Sequence, residues 1–174
     1  MMCGTALLIY LLENNRDTLP EPIYILILAI VKFNILKIKS KTLRVLNSQL
    51  QGLLLWICPA ITYKFIEKEK IADLFMKELT VYEPKYEEEH ERQRVILGLS
   101  TLMKHPEKPQ FVLAAFPELF KTLIKLIKKN AEERIDEINA QEGKKDDDED
   151  DDEEEEDEEE IDLGDESEDD AEFW

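Results

Sequence analysis

The chain has 174 residues and a net charge of -19, divided very unevenly along its length. The last 29 residues hold 22 of the 41 acidic residues and no basic one, which leaves 19 acids against 22 Lys and Arg before them, a net of +3. That balance argues against nucleic acid as a partner, because the polyanion would compete with phosphate for scattered lysines.

The body is rich in Leu, Ile, Lys and Glu and the chain has only five glycines, which favours helix over strand. A first helix is expected over about Gly4 to Glu13, ended by "NNRDTLPEP". Pro22 suits the first turn of a second helix running from Ile23 to Leu36. Ser40 is the expected N-cap of a third, Lys41 to Trp56, where Leu43, Leu46, Leu50, Leu53 and Leu54 recur at helical spacing. Pro59 ends or restarts that helix, and a short segment continues to about Phe65. The fifth is expected over Glu69 to Val81, with Ile71, Leu74, Phe75 and Leu79 apolar and Glu78 intruding. "YEPKYEEEHE" reads as a loop with an acidic first helical turn, leading into "RQRVILGLSTLM" and a stop at "KHPEKP". The last helix is expected from Pro109 to Ala140, kinked near Pro117, fraying through "NAQEGKK". Its apolar stripe is Leu119, Phe120, Leu123, Ile124, Leu126 and Ile127, with Lys128 and Lys129 toward solvent.

Three apolar stretches test for a membrane partner, and none is expected to span one. "IYILILAIV" stops at Lys32 and "LLLWICPAI" contains Pro59; each is about half the ~20 residues a spanning helix needs. "MMCGTALLIYLLENN" lacks the positive flank of a signal peptide. All three read as buried helix faces. Cys3 and Cys58 stand far apart in apolar surroundings and read as buried small hydrophobes in a reducing compartment.

No Gly-rich phosphate loop, GxSxG or HExxH pattern is present, and no catalytic residue, metal site or cofactor is expected. His90 and His105 read as surface residues in charged loops, and "KIKSK" (Lys37 to Lys41) as a solvated turn. The legible chemistry is the tail. Asp146, Asp147, Asp148, Glu149, Asp150, Asp151, Asp152, Glu153, Glu154, Glu155, Glu156, Asp157, Glu158, Glu159 and Glu160 form an unbroken polyanion that has no apolar face to bury. Such a run attracts basic proteins and holds them through many weak, salt-screened contacts. Phe173 and Trp174 follow further acids and are a candidate aromatic anchor on a basic partner. Ser167, in "DESEDD", is a candidate site for an acidophilic kinase.

The stretch "EEEHERQRVILGLSTLMKHPEKPQFVLAAFPELFKTLIKLIKK" carries a resemblance. An acidic loop leads into a helix bearing His90, Arg92, Val95, Leu97, Gly98 and Leu99, then a proline-bearing long helix and an acidic run. This order resembles the C-terminal region of the importin-β superfamily of nuclear transport receptors, in particular its importin seven and eight branch. "TLRVLNSQLQGLLLW" also fits a helix of that region, so the resemblance covers most of residues 41 to 160. It rests on pattern and order rather than on a strict motif. Gly98, inside a helix, is expected to permit close helix approach.

The resemblance implies a receptor shuttling between cytoplasm and nucleus with basic cargo such as histones or ribosomal proteins. Phenylalanine-glycine nucleoporins and Ran-GTP are the other partners it implies, although the Ran-binding repeats of the family have no counterpart here. The chain has the length of roughly three or four repeats, which implies part of a longer solenoid whose first helix exposes a face that a preceding repeat would cover. The expected fold is therefore all-α: a right-handed α-solenoid of HEAT-type antiparallel helix pairs over residues 1–142, about seven helices, with a disordered acidic tail over 143–174. A stand-alone acidic chaperone for histones or ribosomal proteins is the alternative.

Overall fold

Proline and helix-end chemistry set most of the boundaries. The computed structural model describes residues 2–16, 18–106 and 108–145. Among them are seven α-helices and no strand: α1 (Met2–Asn14), α2 (Glu21–Lys37), α3 (Lys41–Ile57), α4 (Pro59–Glu69), α5 (Ala72–Val81), α6 (Glu89–Lys104) and α7 (Gln110–Lys145). A single 3₁₀ turn, Glu83–Lys85, precedes α6. The chain divides into two compact units, Met1–Asp136 and Glu137–Trp174. Of the second, the described part is the last turns of α7.

Pro22 and Pro59 lie in the first turns of α2 and α4, where a missing N–H costs nothing. Ser40 does stand at the N-cap of α3, but its side chain makes no capping hydrogen bond. Arg44, one turn into α3, instead serves the other side of that junction. It donates to the carbonyls of Ile35 (2.6 Å) and Ile38 (3.1 Å), satisfying acceptors that the end of α2 leaves open. The same guanidinium grips Glu78 of α5, with Nε to Oε2 at 2.9 Å. The polar intrusion in the α5 pattern is thus a buried ion-pair partner. Burial pushes the Glu78 carboxyl above its usual range, and the Arg44 bond opposes that shift.

The break expected between about Phe65 and Glu69 lies later: α4 continues to Glu69 and α5 starts at Ala72. Lys70 adopts left-handed backbone geometry (φ 53°) and the Ile71 N–H reaches back to the Ile66 carbonyl at 3.2 Å. This is the bonding of a helix-ending Schellman turn, with lysine where glycine usually sits. Ile71 is buried behind it and Leu74 is exposed. Two further expectations also change. The helix expected to fray through residues 139–145 is helical to Lys145, with Pro117 inside it as expected, and His90 lies inside α6 rather than in a loop.

The core of the first unit is centred on α3, which packs against α1, α2, α4, α5 and α6. From Asn47 to Leu55 every residue of α3 is buried, polar ones included. Asn47 accepts a bond from Asn34 of α2 (3.0 Å), and Ser48 receives the Tyr86 hydroxyl (2.8 Å). Contacts with α6 climb both helices together, from Gln49 beside Glu91 to Gly52 beside Val95 and Gly98, so α3 and α6 run in the same direction. At the crossing, a Cβ on Gly98 would lie 2.5 Å from the Gly52 carbonyl oxygen, and one on Gly52 would lie 2.6 Å from that of Arg94. Neither glycine can carry a side chain without moving a backbone. The expected packing role of Gly98 holds, and its partner is Gly52.

No helix among the described residues is long and apolar enough to cross a membrane. In "LLLWICPAI" Leu53, Leu54, Leu55 and Cys58 are buried and the others half-buried or exposed, and Ile25, Leu26 and Phe33 leave much of the α2 apolar surface exposed. The α7 stripe is also split: Leu119, Leu123 and Leu126 are buried, while Phe120, Ile124 and Ile127 are about half-exposed.

Candidate functional site

The polyanion Asp146 to Glu160, Ser167, Phe173 and Trp174 all lie outside the described residues, as does the side chain of Cys3. What the structure does position is the surface of α1, α3 and α6 and the polar seam along it.

The seam begins on α1 with Glu13, whose carboxylate accepts from Arg94 Nε at 2.7 Å. Arg94 also donates to the side-chain oxygen of buried Gln49 (2.8 Å), and Gln49 donates to Glu91 (2.9 Å). The other Glu91 oxygen accepts the backbone N–H groups of Glu87 (2.9 Å) and Glu88 (3.3 Å), closing a capping box at the start of α6. Two adjoining grooves of about 310 and 280 Å³ flank this seam, sharing Glu13, His90 and Arg94. Leu53, Trp56 and Leu97 line the first with an apolar wall, and Arg16 lies 4.7 Å over the Trp56 ring. Partly exposed aromatic and arginine groups beside an exposed carboxylate in one groove suit contact with another macromolecule.

A second centre lies on the far side of α6. Arg92 is fully buried yet fully occupied: it donates to the carbonyls of Tyr86 (3.2 Å) and Glu87 (2.6 Å), and to Asn130 and Glu133 of α7. Lys129 adds a bond to the Tyr86 carbonyl at 3.0 Å, so it does not simply face solvent as its position suggested. Lys128 does, with a loose 3.6 Å pair to Glu132. These bonds hold α7 to the 3₁₀ turn and α6 through side chains rather than close backbone contact.

Chemically reactive groups are subdued. Burial pushes the Cys58 thiol up to about 11, against the opposing Thr62 bond, and the Tyr63 hydroxyl up to about 12. Both stay protonated at neutral pH, and a protonated buried thiol is a poor nucleophile. Cys58 is buried as expected. His90 is exposed, but His105 is half-buried with its ring 5.2 Å from that of Tyr63, edge to face, and is not an ordinary surface residue. Among the described residues no three His, Cys, Asp or Glu side chains gather as metal ligands would.

Among the described residues, the features placed are grooves and a polar seam. Arg92 and Gly98 were visible in the "HERQRVILGL" pattern, but the Glu13, Gln49 and Arg94 seam was not, because it joins residues up to 81 positions apart. No family model, no curated protein and no solved structure matches the chain.

Proposed function

We propose that the chain is a helical segment of a nuclear transport receptor of the importin-β type, built as HEAT-like helix pairs and bearing an acidic tail for basic cargo. The observation that carries this reading is the crossing at Gly52 and Gly98. Of the buried residues of the resemblance, Val95 and Gly98 lie against Gly52 of α3, while Arg92 bonds α7. The pattern thus records how one helix lies along another of the same direction, as corresponding helices of successive repeats do.

Neighbour relations add support. α3 lies between α1 and α6, and α2 packs on both α3 and α4, an order consistent with two rows of helices. α1 leaves Leu7 and Tyr10 about two-thirds exposed, as an unpaired repeat face would. In this reading Asp146 to Glu160 contact or shield histone-like or ribosomal-protein-like charge, with Phe173 and Trp174 as an anchor and phosphorylation of Ser167 deepening the field. Nucleoporins and Ran-GTP enter as partners of the complete receptor, which shuttles between cytoplasm and nucleus. No catalytic step or cofactor is part of it. A stand-alone acidic chaperone is the second reading, supported by the tail's lack of any basic residue.

The test is binding of a core histone across a salt series, to the full chain and to one in which Asp146 to Glu160 are replaced by Ser and Gly. The polyanion reading expects steeply salt-dependent binding that the replacement abolishes. Equal binding by the replaced chain would remove the tail as cargo site. Co-precipitation with Ran-GTP or nucleoporin repeats from a longer gene product would favour the receptor over the chaperone.

A further inference from the structure

A groove of about 360 Å³ runs between α2 and α4, apart from the α1, α3 and α6 surface. Its apolar lining is Ile25, Ala29, Ile61 and Phe65. The α2 side continues as an apolar strip, since Phe33 and Leu36, about one and two turns beyond Ala29, are also about half-exposed. A volume near the lower end of the ~300–1,000 Å³ usual for ligand sites admits one or two large side chains of a bound segment.

The charges at its edge are what select an occupant. Lys64 and Lys68 stand one turn apart on α4, both exposed and neither in an ion pair among the described residues. Glu69, the acid on the same wall, is already held by Lys32 of α2. The Lys32 hydrogen bond is the main reason that its carboxyl sits below the usual range, and Lys68 adds to the effect. Glu21, the other acid of the lining, lies in the first turn of α2, where the helix dipole favours its charge. Glu21 stays a free carboxylate at the start of α2, so the charge not held in an ion pair among the described residues is two lysine ammonium groups on α4 against one carboxylate on α2, beside a partly exposed apolar floor.

We propose that this groove binds an acidic segment of a partner protein, with aromatic or branched aliphatic anchors on Ile25, Ala29, Ile61 and Phe65 and carboxylates beside Lys64 and Lys68. Apolar burial supplies the affinity, and the lysines choose the sign of the partner and its register. A basic segment meets the same floor but is repelled at the edge. This site is independent of the basic-cargo reading: it takes a partner of opposite charge and does not involve residues 146–174.

The experiment is fluorescence anisotropy of a labelled synthetic peptide, in which Trp and Leu alternate with Glu and Asp, titrated with the full chain. Binding is expected to weaken with salt and to fall about tenfold or more in the double variant Lys64→Glu, Lys68→Glu. Ala29→Arg, which fills the floor from an exposed position and disturbs no buried residue, should abolish it. Lys104→Glu, an exposed change outside the groove, should leave it unaltered. Far-ultraviolet circular dichroism checks that each variant is folded. Absence of binding by the folded parent chain overturns the proposal. So does binding that survives both groove variants, equal binding of a peptide with Lys in place of the acids that Ala29→Arg also abolishes, or equal binding of one with Ser in place of Trp and Leu.

Discussion

Helices α3 and α7 meet α6 in opposite ways. α3 approaches so closely that Gly52 and Gly98 leave no room for a Cβ, and nine consecutive residues of α3 are buried. α7 is held by the long side chains of Arg92, Lys129 and Arg134, and keeps Phe120, Ile124 and Ile127 about half-exposed. One contact is set by the shape of two backbones, the other by charge and hydrogen bonding at arm's length. At its glycines the first should tolerate almost no added volume. The second should tolerate volume on its outer face and respond to every change in its polar partners.

The largest effect is expected at the crossing. Alanine at a solvent-facing helix position is favoured over glycine by roughly 0.5–1 kcal/mol. Gly98→Ala should nevertheless destabilise by about 1–3 kcal/mol, because its Cβ would sit 2.5 Å from a backbone oxygen that no side-chain rotation can move aside. Gly4 of α1 supplies the contrast. Nothing lies within 4 Å of a Cβ there, so Gly4→Ala should be neutral or stabilising. Urea unfolding of the two variants checks the pair, and equal midpoints would mean that α3 and α6 do not cross at these glycines.

How much of this was legible in the sequence follows from the same division. Leucine spacing located α3, and proline placed the starts of α2 and α4, because those signals are local. A helix-interior glycine announced a close contact, but Gly98 could not name Gly52, since the pairing depends on the fold. The break between the fourth and fifth helices was expected a few residues early, because the left-handed backbone at Lys70 occurs at a residue with a Cβ, where the usual glycine signal is absent. The α7 stripe was overestimated: apolar spacing marked a face wide enough for two neighbours, and only part of it is covered in the described residues. The seam Glu13, Arg94, Gln49 and Glu91 and the groove edged by Lys64 and Lys68 depend on tertiary juxtaposition, so neither had a local signature. The polyanion is the reverse case, fully legible as charge because its chemistry requires no fold.

Arg92 should rank next among the single substitutions. Arg92→Met keeps much of the aliphatic stem but leaves the Glu87 carbonyl and the Asn130 side chain without their donor and the Tyr86 carbonyl with Lys129 alone. Losing a donor to buried acceptors costs about 1–3 kcal/mol, and Glu133 is exposed enough to regain water. The cost should be local. Hydrogen exchange is expected to accelerate in α7 and the 3₁₀ turn before α6, while α3 amides near Gly52 keep their protection. Arg92→Lys should recover little, since one ammonium cannot reproduce the guanidinium fork that bonds both sides of the junction at once. Uniform loss of protection through α3 would show that the two attachments are not separable.

The smallest effect, and the one that isolates charge from packing, concerns Glu89 at the start of α6. Its carboxylate accepts from Arg134 Nε of α7 at 2.9 Å and from Gln93 at 2.9 Å. The Arg134 bond is the chief reason that its carboxyl lies below the usual glutamate range; desolvation opposes the shift, while Gln93 and the charges of Arg134 and Arg92 reinforce it. A folded pKa below the unfolded one makes the contribution to stability complete above the ordinary carboxyl range. It is then lost as pH falls through the depressed value. Carboxyl-detected NMR titration should therefore find Glu89 titrating below a typical exposed glutamate, and Arg134→Met should move it back toward the ordinary value. Because the pair is exposed, added salt should shrink the difference. The crossing at Gly52 and Gly98 contains no titrating group, so the same acidification should leave α3 protection in place until global unfolding. If protection at α3 and α7 instead declines together through the Glu89 titration, charge and close packing act as one attachment rather than two.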